Sequence, residues 1–132
     1  MIIQSRHTFK KAERLCSKKR IETLFAGGSR AISAYPLRVV FRERGKKDGE
    51  QEAVSILITV SKRHFKHAVD RNRTKRLIRE AYRLNKQLLL NAPALEGRKL
   101  DLAFIWLSDD LFDYPTIENK IKILLQRIAE TL

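Results

Sequence analysis

The segment Asp70–Leu90 constrains this chain more than any other. Set on a helix at about 100° per residue, Leu77 shares one face with Thr74, Ala81, Leu84 and Leu88, with Ile78 at the flank. Arg71, Asn72, Lys75, Arg76, Arg79, Arg83 and Lys86 fall on the opposite side, and Arg73 at the margin of the apolar stripe. Glu80 stands four residues from Arg76 and three from Arg83, placed to brace both. Such a helix must bury one face against another layer. Its other face is an almost unbroken row of guanidinium and ammonium groups.

Two apolar segments bracket it. Ala53–Ser61 is β-branched and apolar, a strand buried on both faces. Leu100–Leu107 reads as another strand, after a Pro93- and Gly97-containing loop. Parallel pairing of the two would make the helix a βαβ crossover. Upstream, Ser17 is placed to cap a short helix that presents Ile21, Leu24 and Phe25 on one face and ends at Gly27-Gly28. Leu37, Val39 and Phe41 alternate with Arg38, Val40 and Arg42 as a half-buried strand, and Gly45–Gly49 is a turn. Asp113 and Pro115 open a last helix with Ile117, Ile121, Leu124, Leu125 and Ile128 as its stripe. The predicted order is α, β, β, α, β, α. That is an α+β fold, a single-domain α/β sandwich in which helices cover a small mixed sheet. With 132 residues the chain is one domain, 1–132, and residues 1–16 read as a basic arm.

Charge narrows the function. There are 28 lysines and arginines against 15 carboxylates, a net charge of +13. A compact domain gains nothing from such self-repulsion, so a polyanionic partner is expected, and nucleic acid is the first candidate. The excess is localised. Residues 62–86 hold ten basic residues against Asp70 and Glu80, and residues 1–20 hold seven against Glu13, whereas the C-terminal third is slightly acidic. Arginine grips phosphate bidentately and lysine binds it as a compact charge. Asn72, amid these cations, is suited to a phosphate, ribose or metal-bound water.

Other chemistries fit less well. No apolar run reaches the roughly 18 residues of a membrane helix, and no secretory signal opens the chain, so a cytoplasmic location is expected. Cys16 is the single cysteine, too few for an internal disulfide or a thiolate zinc site. A protein nuclease would need paired metal-binding carboxylates or an acid–base constellation. Asp109, Asp110 and Asp113 read instead as loop solvation and helix N-terminal charge. His64 and His67 lack a third ligand in the local sequence. No helix-turn-helix pair suggests DNA reading. A non-enzymatic RNA-binding protein, such as a ribosomal protein, fits composition and basic helix equally well.

One resemblance separates these readings. Ser61-Lys62-Arg63 followed by Ala68-Val69-Asp70-Arg71-Asn72-Arg73-Thr74-Lys75-Arg76-Leu77-Ile78-Arg79-Glu80-Ala81 resembles the signature of the bacterial ribonuclease P protein subunit. The order of elements from Arg14 onward agrees with that family. Departures are Ile21 where an aromatic is common, Thr74 where an apolar residue is usual, and a Phe65–His67 loop one residue longer. The resemblance implies a left-handed βαβ crossover and assembly with a catalytic RNA that removes the 5′ leader of precursor tRNA. It implies no catalytic residue and no metal ligand on the protein, the Mg2+ of the holoenzyme being held by RNA. It implies no membrane and no obligate protein partner. By position, Lys62, Arg63, Lys66, Arg71, Asn72, Arg73, Lys75, Arg76, Arg79 and Arg83 would face RNA. Phe25 would sit in the leader cleft.

Overall fold

A computed structural model describes residue 9, residues 11–44 and residues 53–132. The elements are α1 (Lys18–Phe25), β1 (Arg30–Ala34), β2 (Leu37–Arg44), β3 (Val54–Thr59), α2 (Ala68–Asn85), α3 (Gln87–Leu90), β4 (Lys99–Trp106) and α4 (Tyr114–Thr131). The strands form one mixed sheet in the order β1-β2-β4-β3. β1 and β2 are an antiparallel hairpin, β2 runs antiparallel to β4, and β3 runs parallel to β4 with Val54 opposite Leu100. The α+β class and the mixed sheet are as expected, and α2 lies within the connection between the parallel pair.

Pleat alternation divides the sheet into two faces. Leu37, Val39, Phe41, Ile56, Leu102, Phe104 and Trp106 point to one face, where Ile78, Ala81 and Tyr82 of α2 and the five-residue stripe of α4 close the main core. Val40 and Ala103 point to the other face and meet Leu24 of α1 and Leu15, with Ile21, Leu57 and Ile105 half-buried around them. Local chemistry sets the helix starts. Ser17 accepts from the Arg20 amide and Asp113 from the Thr116 amide, satisfying donors the first turn leaves open. Gly27 and Gly28 follow α1 with positive φ, a conformation only glycine adopts cheaply.

Four expectations are corrected. The described residues form four strands, not three: Arg30–Ala34 is an edge strand that buries no side chain fully and so carries little apolar pattern. The buried arc of α2 is Thr74, Ile78, Ala81 and Tyr82, turned part of the way from Leu77 toward Ile78. Leu84 and Leu88 are exposed as a result. The cause is Tyr82, which packs against Phe104 and Phe9 and draws its side of the helix inward. The same rotation buries Lys86, counted above on the basic face. The helix breaks at Lys86, and its Nζ donates to both carboxylate oxygens of Glu13 at 2.8 and 3.0 Å. Within the segment read as an arm, Lys11–Glu13 forms a 3-10 turn and Leu15 is buried. The Leu15 amide donates to Ile56 O at 2.8 Å, covering part of the β3 edge. The Gly45–Gly49 turn lies outside the described residues.

Candidate RNA interface

The basic residues of the β3–α2 loop and of α2 have distinct placements. Lys62, Arg63 and Lys66 are exposed in the loop, whose Phe65 is buried against Trp106. Arg71 is bound to that loop: its Nη1 donates to Phe65 O at 2.8 Å and to Lys66 O at 3.0 Å. One guanidinium thus fixes the loop's course and keeps its other donors. Asn72 and Arg76 are exposed, and Arg73, Lys75 and Arg79 half-buried. The Arg73 Nη1 is buried and has no hydrogen-bond partner. Asp113 carries a carboxyl held below its usual range, chiefly by hydrogen bonds from Thr116, with the Arg73 charge assisting.

Glu80 was placed to brace both Arg76 and Arg83, and it takes Arg83. Two parallel bonds of 2.8 and 2.7 Å join them, and they hold the Glu80 carboxyl below its usual range. Arg76 has no ion pair among the described residues and points its full charge outward.

Two grooves flank α1. One of about 220 Å3 lies beside the β3 edge, with Lys75 and Arg79 of α2 on one wall and Arg14, Leu15 and Cys16 on the other. Leu57 and Ile58 line its floor. The second, about 210 Å3, lies at the C-terminal end of α1, where Phe25, Arg38, Val40, Ile105 and Ala31 line it. Phe25 is 47% exposed, so its ring is a wall of this groove and not core. Leu57 of the first groove and Ile105 of the second pack on the same small cluster beneath α1. The fold therefore sets Phe25 and the basic side of α2 on the two sides of one apolar strip. The strip missed in the sequence includes Arg14 and Arg38. The alternation of Arg38 and Val40 with Leu37, Val39 and Phe41 was the available signal, but which helix shares their face is fixed only by the tertiary fold.

Three carboxylates near the cationic helix are engaged. Asp113 caps α4, Glu80 holds Arg83, and Asp109 Oδ1 lies 2.7 Å from His64 Nδ1. The fold thus gives His64 a carboxylate neighbour 45 residues away, which local sequence could not show. Among the described residues no group of three or more His, Cys, Asp or Glu is placed to hold a metal ion.

The family model for ribonuclease P matches residues 9–129 of this chain. The chain belongs to the ribonuclease P protein family. A ribonuclease P protein component from Porphyromonas gingivalis is 44% identical over 121 residues, spanning 90% of this chain and 85% of that one. Another, from Chlorobaculum tepidum, is 39% identical over 93 residues, spanning 67% and 60% of the two chains. In fold, the chain resembles the RNase P protein from Thermotoga maritima, with a TM-score of 0.67, 23% identity, and 87% and 96% of the two chains covered. It also resembles that of Staphylococcus aureus, with a TM-score of 0.68, 21% identity, and 89% and 96% covered. The protein is a subunit of the ribonuclease P holoenzyme, which acts in 5′ processing of precursor tRNA, and it associates with ribonuclease P RNA. No helix among the described residues is long and apolar enough to cross a membrane.

Proposed function

We propose that α2 and its entry loop bind the catalytic RNA while the strip between α2 and Phe25 receives the single-stranded 5′ leader. The observation that carries this is the position of an exposed aromatic, Phe25, across an apolar strip from Lys75 and Arg79. Lys62, Arg63, Lys66, Asn72, Arg73, Lys75, Arg76, Arg79 and Arg83 supply charge and hydrogen bonds to phosphate and ribose, and Arg71 contributes while bracing the loop. Phosphate contacts of this kind fix register without reading sequence. A ring such as Phe25 stacks on an unpaired base of any identity.

Three carboxylates near the interface are already committed, Asp113 to a cap, Glu80 to Arg83 and Asp109 to His64, which speaks against their holding catalytic Mg2+. In this reading the metal and the hydrolysis belong to RNA, and the protein holds and orients substrate in the cytoplasm without an obligate protein partner. Mixed with ribonuclease P RNA at low Mg2+, the protein should promote leader release, whereas protein free of RNA should leave precursor tRNA intact. Metal-dependent cleavage by the RNA-free protein would refute the assignment.

Phe25→Leu tests the leader site. It keeps most of the apolar volume and removes the stacking face, worth about 1–3 kcal/mol per base. Holoenzyme carrying it should bind precursor tRNA more weakly, with mature tRNA binding and melting temperature nearly unchanged, since the ring is half in solvent. Equal losses for both RNAs would place Phe25 outside any leader site.

A further inference from the structure

We infer that His64 is an RNA ligand: with Nδ1 held by Asp109, its imidazolium donates from Nε2 to a phosphodiester. This deepens the reading of the β3–α2 loop given above and rests on it. Three consecutive residues of that loop are fixed from three directions. Arg71 of α2 holds the carbonyls of Phe65 and Lys66, the Phe65 ring is buried against Trp106 of β4, and His64 Nδ1 lies 2.7 Å from Asp109 Oδ1. Asp109 is itself set by a turn, in which the Asp110 amide donates to Oγ of the buried Ser108 at 2.9 Å. The His64 side chain is 13% exposed and that of Asp109 78%. A pair with so exposed a carboxylate adds little to stability. What it does fix is the tautomer and orientation of the ring.

The other ring nitrogen is available. Nε2 makes no hydrogen bond to the described residues and is not buried. The loop around it is cationic: Lys62, Arg63 and Lys66 are exposed, and residues 61–67 include no carboxylate. Such a place attracts an anion, and in a subunit of the ribonuclease P holoenzyme that anion is an RNA phosphodiester. The proton follows from the geometry. With its Nδ1–H given to Asp109, the neutral ring can only accept at Nε2, and a phosphodiester has no hydrogen to donate. The doubly protonated ring donates at both ends, to carboxylate and phosphate at once. Phosphate binding therefore takes up one proton from solvent, and affinity falls as pH rises through the range in which histidines lose charge. Other charged groups adjoin. Arg71 is spent in part on the loop carbonyls, Asp70 lies in the first turn of α2, and Asp110 follows Asp109. His67, exposed just before α2, is the other histidine here and needs a control.

The test measures assembly of the protein with ribonuclease P RNA, and precursor tRNA binding by the assembled holoenzyme, at about pH 6 and about pH 8, either side of the ordinary histidine transition. His64→Gln keeps a neutral hydrogen-bonding group. It should weaken assembly or substrate binding about tenfold at the lower pH and no more than about twofold at the higher. The step affected tells whether the phosphate belongs to the RNA subunit or to the precursor. For that step the slope of log affinity against log salt should fall by about one at the lower pH. His64→Arg, charged throughout, should hold the low-pH affinity at both values, which His67 left unchanged could not produce. Asp109→Asn keeps an acceptor for Nδ1 and leaves the ring in place, so it stays informative if His64→Gln disturbs the loop. Removing a negative charge would by itself strengthen RNA binding; acting through the ring, Asp109→Asn should weaken it at the lower pH. Stronger binding by Asp109→Asn would overturn the proposal, as would a pH dependence that persists in His64→Arg. Equal His64→Gln losses at both pH values would make Nε2 an acceptor from a hydroxyl and also overturn it. Arg76→Ala run alongside separates the two ideas. If it weakens assembly while the His64 variants match the parent protein, the interface reading stands and the histidine ligand falls. If none of them changes either step, the interface reading itself has failed.

Discussion

Replacing Glu13 with Ala should destabilise the free protein by about 3–5 kcal/mol, because it removes the carboxylate that neutralises a buried ammonium. The side chains of Lys86 and Glu13 are 5% and 8% exposed and are joined by two hydrogen bonds. A buried pair contributes little beyond its own desolvation, but removing one partner takes away the charge that offsets the other's desolvation. The double replacement Glu13→Leu with Lys86→Met should therefore restore most of the loss. Urea unfolding without RNA measures both. A single-site loss below about 1 kcal/mol would mean that Lys86 reaches water once Glu13 is gone, as surface pairs do. The pair ties the 3-10 turn before α1 to the break between α2 and α3. Its loss should also loosen Arg14 and Leu15 from the β3 edge, where they wall the groove opposite Lys75 and Arg79.

Much of this molecule is legible in its sequence where the signal is local and periodic. The caps at Ser17 and Asp113, the α4 stripe and the outward charge of Arg76 follow from spacing alone. What sequence hides are pairings across distance. Lys86 has the spacing of an exposed cation, and it is buried against Glu13, 73 residues earlier. Arg71 has the same surface spacing, yet part of its guanidinium holds the loop's carbonyls. β1 is invisible to periodicity because an edge strand need not alternate when neither face is fully covered. Phe25 shares a helical face with Leu24, and periodicity makes both core. The structure buries Leu24 against Val40 and Ala103 and leaves Phe25 47% exposed as a wall of the groove.

Asp101→Ala should produce the other large effect, and it couples stability to leader binding. Asp101 is buried on β4, on the face beneath α1. Arg20 of α1 donates to both of its carboxylate oxygens, the Nε bond measuring 3.1 Å, and Arg44 Nε of β2 lies 2.8 Å from Oδ1. One carboxylate thus neutralises a buried guanidinium and tethers the helix that carries Phe25. Removing it takes the Asp101 carboxylate from Arg44, whose side chain is 6% exposed, at a cost of about 3–5 kcal/mol. A second substitution separates the two roles. Asp101→Ala with Arg44→Leu removes the buried guanidinium together with its carboxylate and should recover most of the melting temperature, but the Arg20–Asp101 bonds stay lost. In holoenzyme, that double variant should bind mature tRNA normally and lose the extra affinity that a leader confers, because α1 no longer fixes Phe25 over Val40 and Ile105. Recovery of stability and leader affinity together would show that Leu24 packing alone positions α1, and that the Arg20–Asp101 contact is incidental to the groove.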